Sequence, residues 1–109
     1  MSTQLPPPID LYVQLENVGD TAALSACFAP HAIVRDEGRI YEGLAAITAW
    51  KAETKQPYHH TITPLAVTLQ QGKTVLTATL TGTFPGSPVT VNVDVVLEAG
   101  KIISLEMHA

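Results

Sequence analysis

The first half of the chain carries apolar residues at helical spacing. A first helix is predicted between a run of three prolines and Gly19, because glycine favours a helix end. Its apolar face consists of Leu11, Tyr12, Leu15 and Val18. A second helix is predicted with Asp20 as its N-cap. Its apolar face consists of Ala23, Leu24, Cys27 and Phe28. A third helix is predicted over about 44–54, and it buries Leu44, Ile47 and Trp50.

After Pro57, apolar and polar residues alternate, which is typical of strands with one buried face. Long strands are predicted near 65–69, 75–84, 89–98 and 102–107, and short ones at 32–36 and 40–42. Pro64 predicts a bulge or bend in the first long strand. The helices are predicted in the first half of the chain and the long strands in the second half. This order indicates an α+β fold, with about three helices packed on a curved, mostly antiparallel sheet of six strands. Residues 1–109 are expected to form one domain.

Charge and cysteine content argue against several classes of function. The 109 residues include ten acidic and six basic ones, for a net charge of -4, so no basic stripe is available to neutralise nucleic-acid phosphates. The single cysteine, Cys27, cannot form an internal disulfide or a cysteine-based zinc site. The sequence shows neither the pattern of a signal peptide nor an apolar run of membrane-spanning length. We therefore expect a cytoplasmic protein that binds neither nucleic acid nor membranes.

The polar positions of the predicted sheet are rich in threonine. They include Thr77, Thr79, Thr81, Thr83, Thr90 and Asn92. A surface that is neither strongly charged nor strongly apolar suits a subunit interface, and it equally suits a sheet face open to solvent. The first interpretation predicts a homodimer formed through this face.

Several short segments resemble the NTF2-like (cystatin-like) superfamily and, within it, the SnoaL-like branch. They are VGD at 18–20, FAPHAIV at 28–34, YEGLAAI at 41–47, FPGSPV at 84–89 and GKI at 100–102. The resemblance covers the chain from about residue 9 to 107 and rests on the order and spacing of these segments. It implies a cone-shaped fold with a pocket between the helices and the concave face of the sheet. It says more about the fold than about the reaction.

Two residues resemble the catalytic pair of bacterial ketosteroid isomerases. Tyr12 is similar to their oxyanion-hole tyrosine in its spacing to Gly19 and Asp20, and Asp36 is similar to their general base. The resemblance implies that Asp36 accepts an α-proton from a ketone and that the Tyr12 hydroxyl stabilises the enolate oxygen. Structural roles remain open for both. Tyr12 can simply fill the core, and Asp36 can serve as a turn residue or pair with a neighbouring arginine.

Three further residues are candidates for substrate binding: Trp50, His60 and Asp94. Trp50 is expected in the core with one edge at the pocket. His59 and His60 are neighbours on a predicted strand, so one faces inward and the two cannot clamp a metal. Asp94 is the nearest candidate for the second, protonated donor of the isomerases. It lines the pocket only if the strand alternation is reversed, because Val93 otherwise faces inward.

These residues predict an enzyme that uses no cofactor and no metal. It would move a proton on a small hydrophobic carbonyl compound, by ketosteroid-isomerase-like isomerisation or by SnoaL-like cyclase or dehydratase chemistry. Two alternatives stay open: a non-catalytic module that holds a small apolar molecule, and a structural homodimer with a vestigial pocket. The placement of Tyr12 and Asp36 discriminates among them, because an enzyme needs both polar groups at one cavity.

Overall fold

The computed structural model describes residues 5–19, 23–36, 38–58, 61–83 and 85–108, and for 54–58 the backbone. Its helices are α1 (Pro7–Val18) and α2 (Leu44–Tyr58), and a turn of 3₁₀-helix covers Leu24–Ala26. Its strands are β1 (Phe28–Asp36), β2 (Arg39–Glu42), β3 (Thr61–Gln70), β4 (Lys73–Thr81), β5 (Val89–Glu98) and β6 (Lys101–His108). Within the described residues, neither helix combines the length and the apolar character needed to cross a bilayer.

All six strands form one sheet, in the order β2-β1-β6-β5-β4-β3. Every neighbouring pair is antiparallel except β1 and β6, which run parallel. The pairing register shifts within three pairs, including a shift between Pro64 and Ala66 of β3, and bulges of this kind bend a sheet. The predicted α+β fold with a curved, mostly antiparallel sheet of six strands is confirmed. The bulge predicted at Pro64 is present as well.

The predicted second helix is wrong, because the described residues form two α-helices rather than about three. Leu24–Ala26 forms only a 3₁₀ turn, and Phe28 already begins β1. The Cys27 carbonyl accepts a hydrogen bond from the Ile102 N–H at 2.7 Å, so this stretch of backbone is bound to β6. Too few residues remain to repay the cost of starting an α-helix. Asp20, the expected N-cap, lies outside the described residues.

The first helix ends as predicted, but its buried face is rotated. Gly19 has a φ of 78° and donates its N–H to the Leu15 carbonyl at 2.9 Å, which closes α1. Val18 is 75% exposed, although its spacing placed it on the apolar face. The buried residues are instead Pro8, Ile9, Tyr12, Val13 and Glu16. The rotation brings a carboxylate into the buried face, one turn after Tyr12.

The strand alternation predicted for β4 and β5 is confirmed. The buried residues of β5 are Val91, Val93 and Val95, and they lie opposite the buried Ala78, Leu76 and Thr74 of β4. The other face carries the polar positions, where the Thr77 hydroxyl donates a hydrogen bond to the Asn92 side chain at 2.9 Å. A homodimer formed through this outer face stays a prediction.

One side chain fastens α1 to the edge of the sheet. The Asn17 amide donates to the Ile62 carbonyl at 3.0 Å, and its oxygen accepts from the Ile62 N–H at 2.7 Å. Ile62 belongs to β3, an edge strand, so Asn17 pairs with backbone groups that no neighbouring strand reaches. This contact fixes the helix that carries Tyr12 against the sheet.

Replacing Asn17 with alanine removes both of these hydrogen bonds. We expect Asn17→Ala to lower the free energy of unfolding by about 2–3 kcal/mol, because two bonds are lost and the Ile62 backbone groups lose their partners. Asn17→Asp keeps the acceptor and loses the donor, so its stability should be intermediate. Urea denaturation measures both variants. A loss below about 0.5 kcal/mol for Asn17→Ala, the range of an ordinary surface substitution, would show that this contact does not hold the helix.

Candidate active site

The two helices bring four buried side chains together. Tyr12 and Glu16 are one turn apart on α1, and Trp50 and Lys51 are adjacent on α2. None of the four is more than 4% exposed. They combine two aromatic rings with two opposite charges inside an otherwise apolar core. We call these four residues the interhelix cluster.

The hydroxyl of Tyr12 has no hydrogen-bond partner among the described residues. The residue is 1% exposed, and its ring meets the Phe28 ring edge to face, with centroids 5.8 Å apart. Burial raises the pKa of Tyr12 well above its ordinary value, and the charges of Glu16, Cys27 and Asp36 raise it further. The phenol is therefore neutral at physiological pH and available to donate its proton to a ligand oxygen.

Glu16 and Lys51 form a buried ion pair between the two helices. Their Oε2 and Nζ atoms are 2.8 Å apart, and both side chains are nearly inaccessible to solvent. The Lys51 ammonium also lies 3.8 Å from the ring centroid of Trp50 and 5.4 Å from that of Tyr12. Both distances are within the range of a cation–π interaction, which is strongest over tryptophan and away from water. Lys51 therefore joins α2 to α1 through a charge and through aromatic rings.

Asp36, the last residue of β1, is connected to the interhelix cluster by Trp50. The Trp50 indole N–H donates a hydrogen bond to Asp36 Oδ2 at 3.2 Å. The indole ring stacks on Tyr41 of β2, with centroids 5.5 Å apart. The edge of Trp50 thus holds a carboxylate, while its face holds the ammonium of Lys51. A carboxylate accepts at two oxygens, so the bond from Trp50 orients Asp36 without using Oδ1.

Tyr12 and Asp36 share one electrostatic environment although they lie on different elements. The charge of Asp36 is among the causes that raise the pKa of Tyr12. The residues that connect them are Lys51, which lies over the Tyr12 ring, and Trp50, which is bonded to Asp36. Three of the five residues selected from the sequence, Tyr12, Asp36 and Trp50, are therefore connected through Lys51 and Trp50, while the Tyr12 hydroxyl and Asp36 share no hydrogen bond.

The structure does not place the other two candidate residues, His60 and Asp94, in this group. His60 lies outside the described residues. Asp94 lies on the outer face of β5, where its Oδ2 is 3.1 Å from His108 Nε2, and Glu106 Oε1 is 3.9 Å from the same nitrogen. The alternation of β5 explains this placement, because the valines beside Asp94 are buried on the inner face.

The prediction from sequence missed Glu16 and Lys51. A helix face defined by apolar residues leaves charged side chains out, since these are rarely buried unless they are paired. The positions of Glu16 and Lys51 in the sequence nevertheless indicate that both lie on buried helix faces. Glu16 follows Tyr12 by four residues, and Lys51 follows Ile47 by four. Opposite charges on the buried faces of two helices indicate an interhelical ion pair.

Comparison with known proteins supports the fold expected from the sequence. The SnoaL-like domain family matches residues 9–104. A search among curated proteins finds no match. Among solved structures, a protein of Sinorhizobium meliloti described as a "putative polyketide cyclase" is 36% identical to this chain. The two superpose with a TM-score of 0.90 over 95% of each chain.

Two more distant structures share the fold. A Catenulispora acidiphila protein with a ketosteroid isomerase-like fold, solved in complex with trimethylamine, is 18% identical, with a TM-score of 0.85 over 97% of this chain and 87% of that one. A cystatin-fold protein of Novosphingobium aromaticivorans is 14% identical, with a TM-score of 0.78 over 94% and 96%. Such identities show the fold alone. The catalytic pairing of Tyr12 with Asp36 stays a prediction.

The buried ion pair predicts a non-additive pattern of stability. Lys51→Met leaves a buried carboxylate without its counter-charge, so we expect a loss of about 3–5 kcal/mol in the free energy of unfolding. Glu16→Gln should cost a similar amount because it leaves a buried ammonium. The double variant Glu16→Gln/Lys51→Met removes both charges and should recover most of the stability. Urea denaturation of the four proteins checks this pattern, and additive losses would argue against direct coupling.

The enclosed hydroxyl of Tyr12 predicts two effects of Tyr12→Phe. At pH 7 the variant should be more stable than the wild type by about 1–2 kcal/mol, because a buried hydroxyl without a partner is removed. Above pH 10 the unfolded tyrosine ionises while the buried one stays protonated, so the unfolded state binds fewer protons. The stability of the wild type should then fall with pH by up to about 1.4 kcal/mol per unit more than that of Tyr12→Phe.

Denaturation curves of both proteins between pH 7 and about pH 11 measure these differences. Parallel curves across that range would mean that Tyr12 ionises as readily in the folded chain as in the unfolded one.

Proposed function

The chain belongs to the SnoaL-like domain family, and from that premise we propose that it is an enzyme that moves a proton on a small hydrophobic carbonyl compound. The observation that carries the proposal is the Tyr12 hydroxyl: buried, neutral, without a partner among the described residues, and electrostatically coupled to Asp36. A buried hydroxyl without a hydrogen-bond partner does not stabilise the folded core, so a purely structural role does not account for it. A ligand oxygen would supply the missing partner.

Asp36 is the proposed base. Its Oδ2 accepts the Trp50 N–H, which fixes the orientation of the carboxylate and leaves Oδ1 to accept a proton from carbon. Trp50 is itself held by stacking on Tyr41 and by the Lys51 ammonium, so the base is carried on a rigid support. In the proposed step Asp36 removes the proton α to the carbonyl. The electron pair of that C–H bond forms a carbon–carbon double bond, and the π pair of the carbonyl moves onto its oxygen, which gives the enolate.

Tyr12 is the proposed donor to that oxygen. Its high pKa keeps the proton on the phenol at neutral pH, so it stabilises the enolate through a hydrogen bond without transferring the proton completely. Return of the proton from Asp36 to another carbon would complete an isomerisation. Attack of the enolate carbon on a second carbonyl of the same molecule would form a carbon–carbon bond and an alkoxide, and transfer of the proton from Asp36 to that alkoxide would complete a cyclisation. The polyketide cyclase description of the Sinorhizobium meliloti protein, at 36% identity, supports the second outcome.

A second candidate function is the binding of a small hydrophobic molecule without turnover. The surroundings of Tyr12 favour it, since its ring packs edge to face on Phe28 and its hydroxyl is inaccessible to solvent. In that case Tyr12 would bind a polar atom of the ligand, and Asp36 would serve mainly to orient Trp50. Substitution of Asp36 discriminates the two candidates, because only the enzyme needs a base.

The catalytic proposal predicts distinct effects of two substitutions on a panel of β,γ-unsaturated ketones. Asp36→Asn should abolish turnover while leaving ketone affinity nearly unchanged, because the amide keeps the bond to Trp50 and loses the base. Tyr12→Phe should lower kcat by roughly 10²–10³, as expected for the loss of one oxyanion donor. Ultraviolet absorbance follows formation of the conjugated ketone.

Asp10→Asn provides the matched control, since Asp10 is exposed and its side chain accepts a hydrogen bond from Gln14, one turn along α1. Equal turnover by Asp36→Asn and Asp10→Asn would remove Asp36 as the base. If the wild type itself binds the ketones but turns none of them over, the second candidate function is favoured.

A further inference from the structure

We propose that Lys51 is a built-in cation that decides the ligand class of this site, because it occupies the place where the ammonium group of an amine would bind. The proposal deepens the proposed function, on which it rests for the position of the ligand beside Tyr12. It adds that this ligand carries no positive charge near the interhelix cluster.

The groups around the Lys51 ammonium are those that recognise alkylammonium ions. They are the face of Trp50 at 3.8 Å, the ring of Tyr12 at 5.4 Å and the carboxylate of Glu16 at 2.8 Å. An aromatic face with an adjacent carboxylate, away from water, is a favourable environment for an organic cation. We call these three groups the ammonium seat. The protein fills this seat with its own side chain.

A diffusing amine would have to displace a tethered one. Lys51 is 4% exposed, so its carbon chain is packed along with its charge, and expelling it would leave Glu16 without a counter-charge. Tethering also keeps the ammonium at a high effective concentration at the seat. An amine bound beside the seat would meet the Lys51 ammonium, and the Glu16 carboxylate would already be paired with that ammonium. Discrimination of this kind works by repulsion, and it favours a neutral ligand over an amine of the same shape.

The same cation suits a ligand that becomes negative during the reaction. Lys51 lies over the ring of Tyr12, whose hydroxyl is the proposed donor to the enolate oxygen. Where the ligand oxygen lies nearer to the Lys51 ammonium than to its partner carboxylate on Glu16, the ammonium would stabilise the enolate more than the neutral ketone. The ligand class is therefore a neutral carbonyl compound that passes through an oxyanion. Amines with the same carbon skeleton are excluded.

The first experiment removes the Lys51 ammonium from the seat and tests whether a free alkylammonium ion binds in its place. Lys51→Ala removes three methylene groups and the ammonium, which n-propylammonium replaces almost atom for atom. We expect n-propylammonium chloride to raise the Tm of Lys51→Ala in a saturable manner by about 5 °C, with sodium chloride at equal ionic strength as the reference. Propan-1-ol, which lacks the charge, should have little effect. The wild type and Lys51→Met should not respond, because both have the seat filled.

An equal response of the wild type and Lys51→Ala, or no preference for the ammonium over the alcohol, would overturn the proposal. If Lys51→Ala does not fold, the double variant Glu16→Gln/Lys51→Ala takes its place, since it contains no buried carboxylate at the seat. We expect it to prefer n-propylammonium to propan-1-ol through the aromatic rings alone, with weaker affinity. Equal responses to the two compounds in the double variant would also overturn the proposal.

The second experiment measures ligand class directly with 2-tetralone and 2-aminotetralin, which share a carbon skeleton. We expect the wild type to bind the ketone at least about tenfold more tightly than the ammonium form of the amine. In Lys51→Met this preference should shrink to about twofold or reverse. An undiminished preference in Lys51→Met would show that Lys51 does not set it. If the wild type binds neither compound, the proposed function fails, while the n-propylammonium experiment still decides whether the seat exists.

Discussion

The arrangement of the site depends on one buried ion pair between the two helices. Glu16 and Lys51 are both removed from water, which costs each of them solvation that their attraction repays only at close range. The pair is therefore a strong constraint on where α1 and α2 lie, whatever its net contribution to stability. Tyr12 is one turn from Glu16, and Trp50 adjoins Lys51. A shift between the helices would separate the donor from the residue that orients Asp36.

Trp50 transmits that constraint to the sheet. Its edge binds Asp36 at the end of β1, its ring stacks on Tyr41 of β2, and its face carries Lys51. On α1, Asn17, the residue after Glu16, bonds both backbone groups of Ile62 on the edge strand β3. The two polar contacts attach α2 to β1, the second strand of the order, and α1 to β3, the strand at the far end. The apolar core fills the space between them, and few degrees of freedom remain for the placement of Tyr12.

The sequence predicted what local spacing and alternation determine, and it failed where distant residues decide. The end of α1 at Gly19, the bulge at Pro64 and the inward valines of β5 follow from patterns within one element. The stretch before Phe28 does not form an α-helix because Ile102, far along the chain, bonds its backbone. The burial of Glu16 likewise depends on Lys51 of another helix. Tyr12 and Asp36 were identified through a resemblance and Trp50 as a core residue of its helix, whereas the bond between Trp50 and Asp36 and the pairing of Glu16 with Lys51 depend on the three-dimensional structure.

The central claim is that Tyr12 and Asp36 act on the same ligand. It is tested most directly by a crystal structure of the protein with 2-naphthol, a stable planar analogue of the enol of 2-tetralone. We expect the naphthol oxygen within about 3 Å of the Tyr12 hydroxyl, and a ring carbon adjacent to the C–O carbon beside the Asp36 carboxylate. Naphthol bound elsewhere, with the Tyr12 hydroxyl still enclosed by apolar side chains, would contradict the claim.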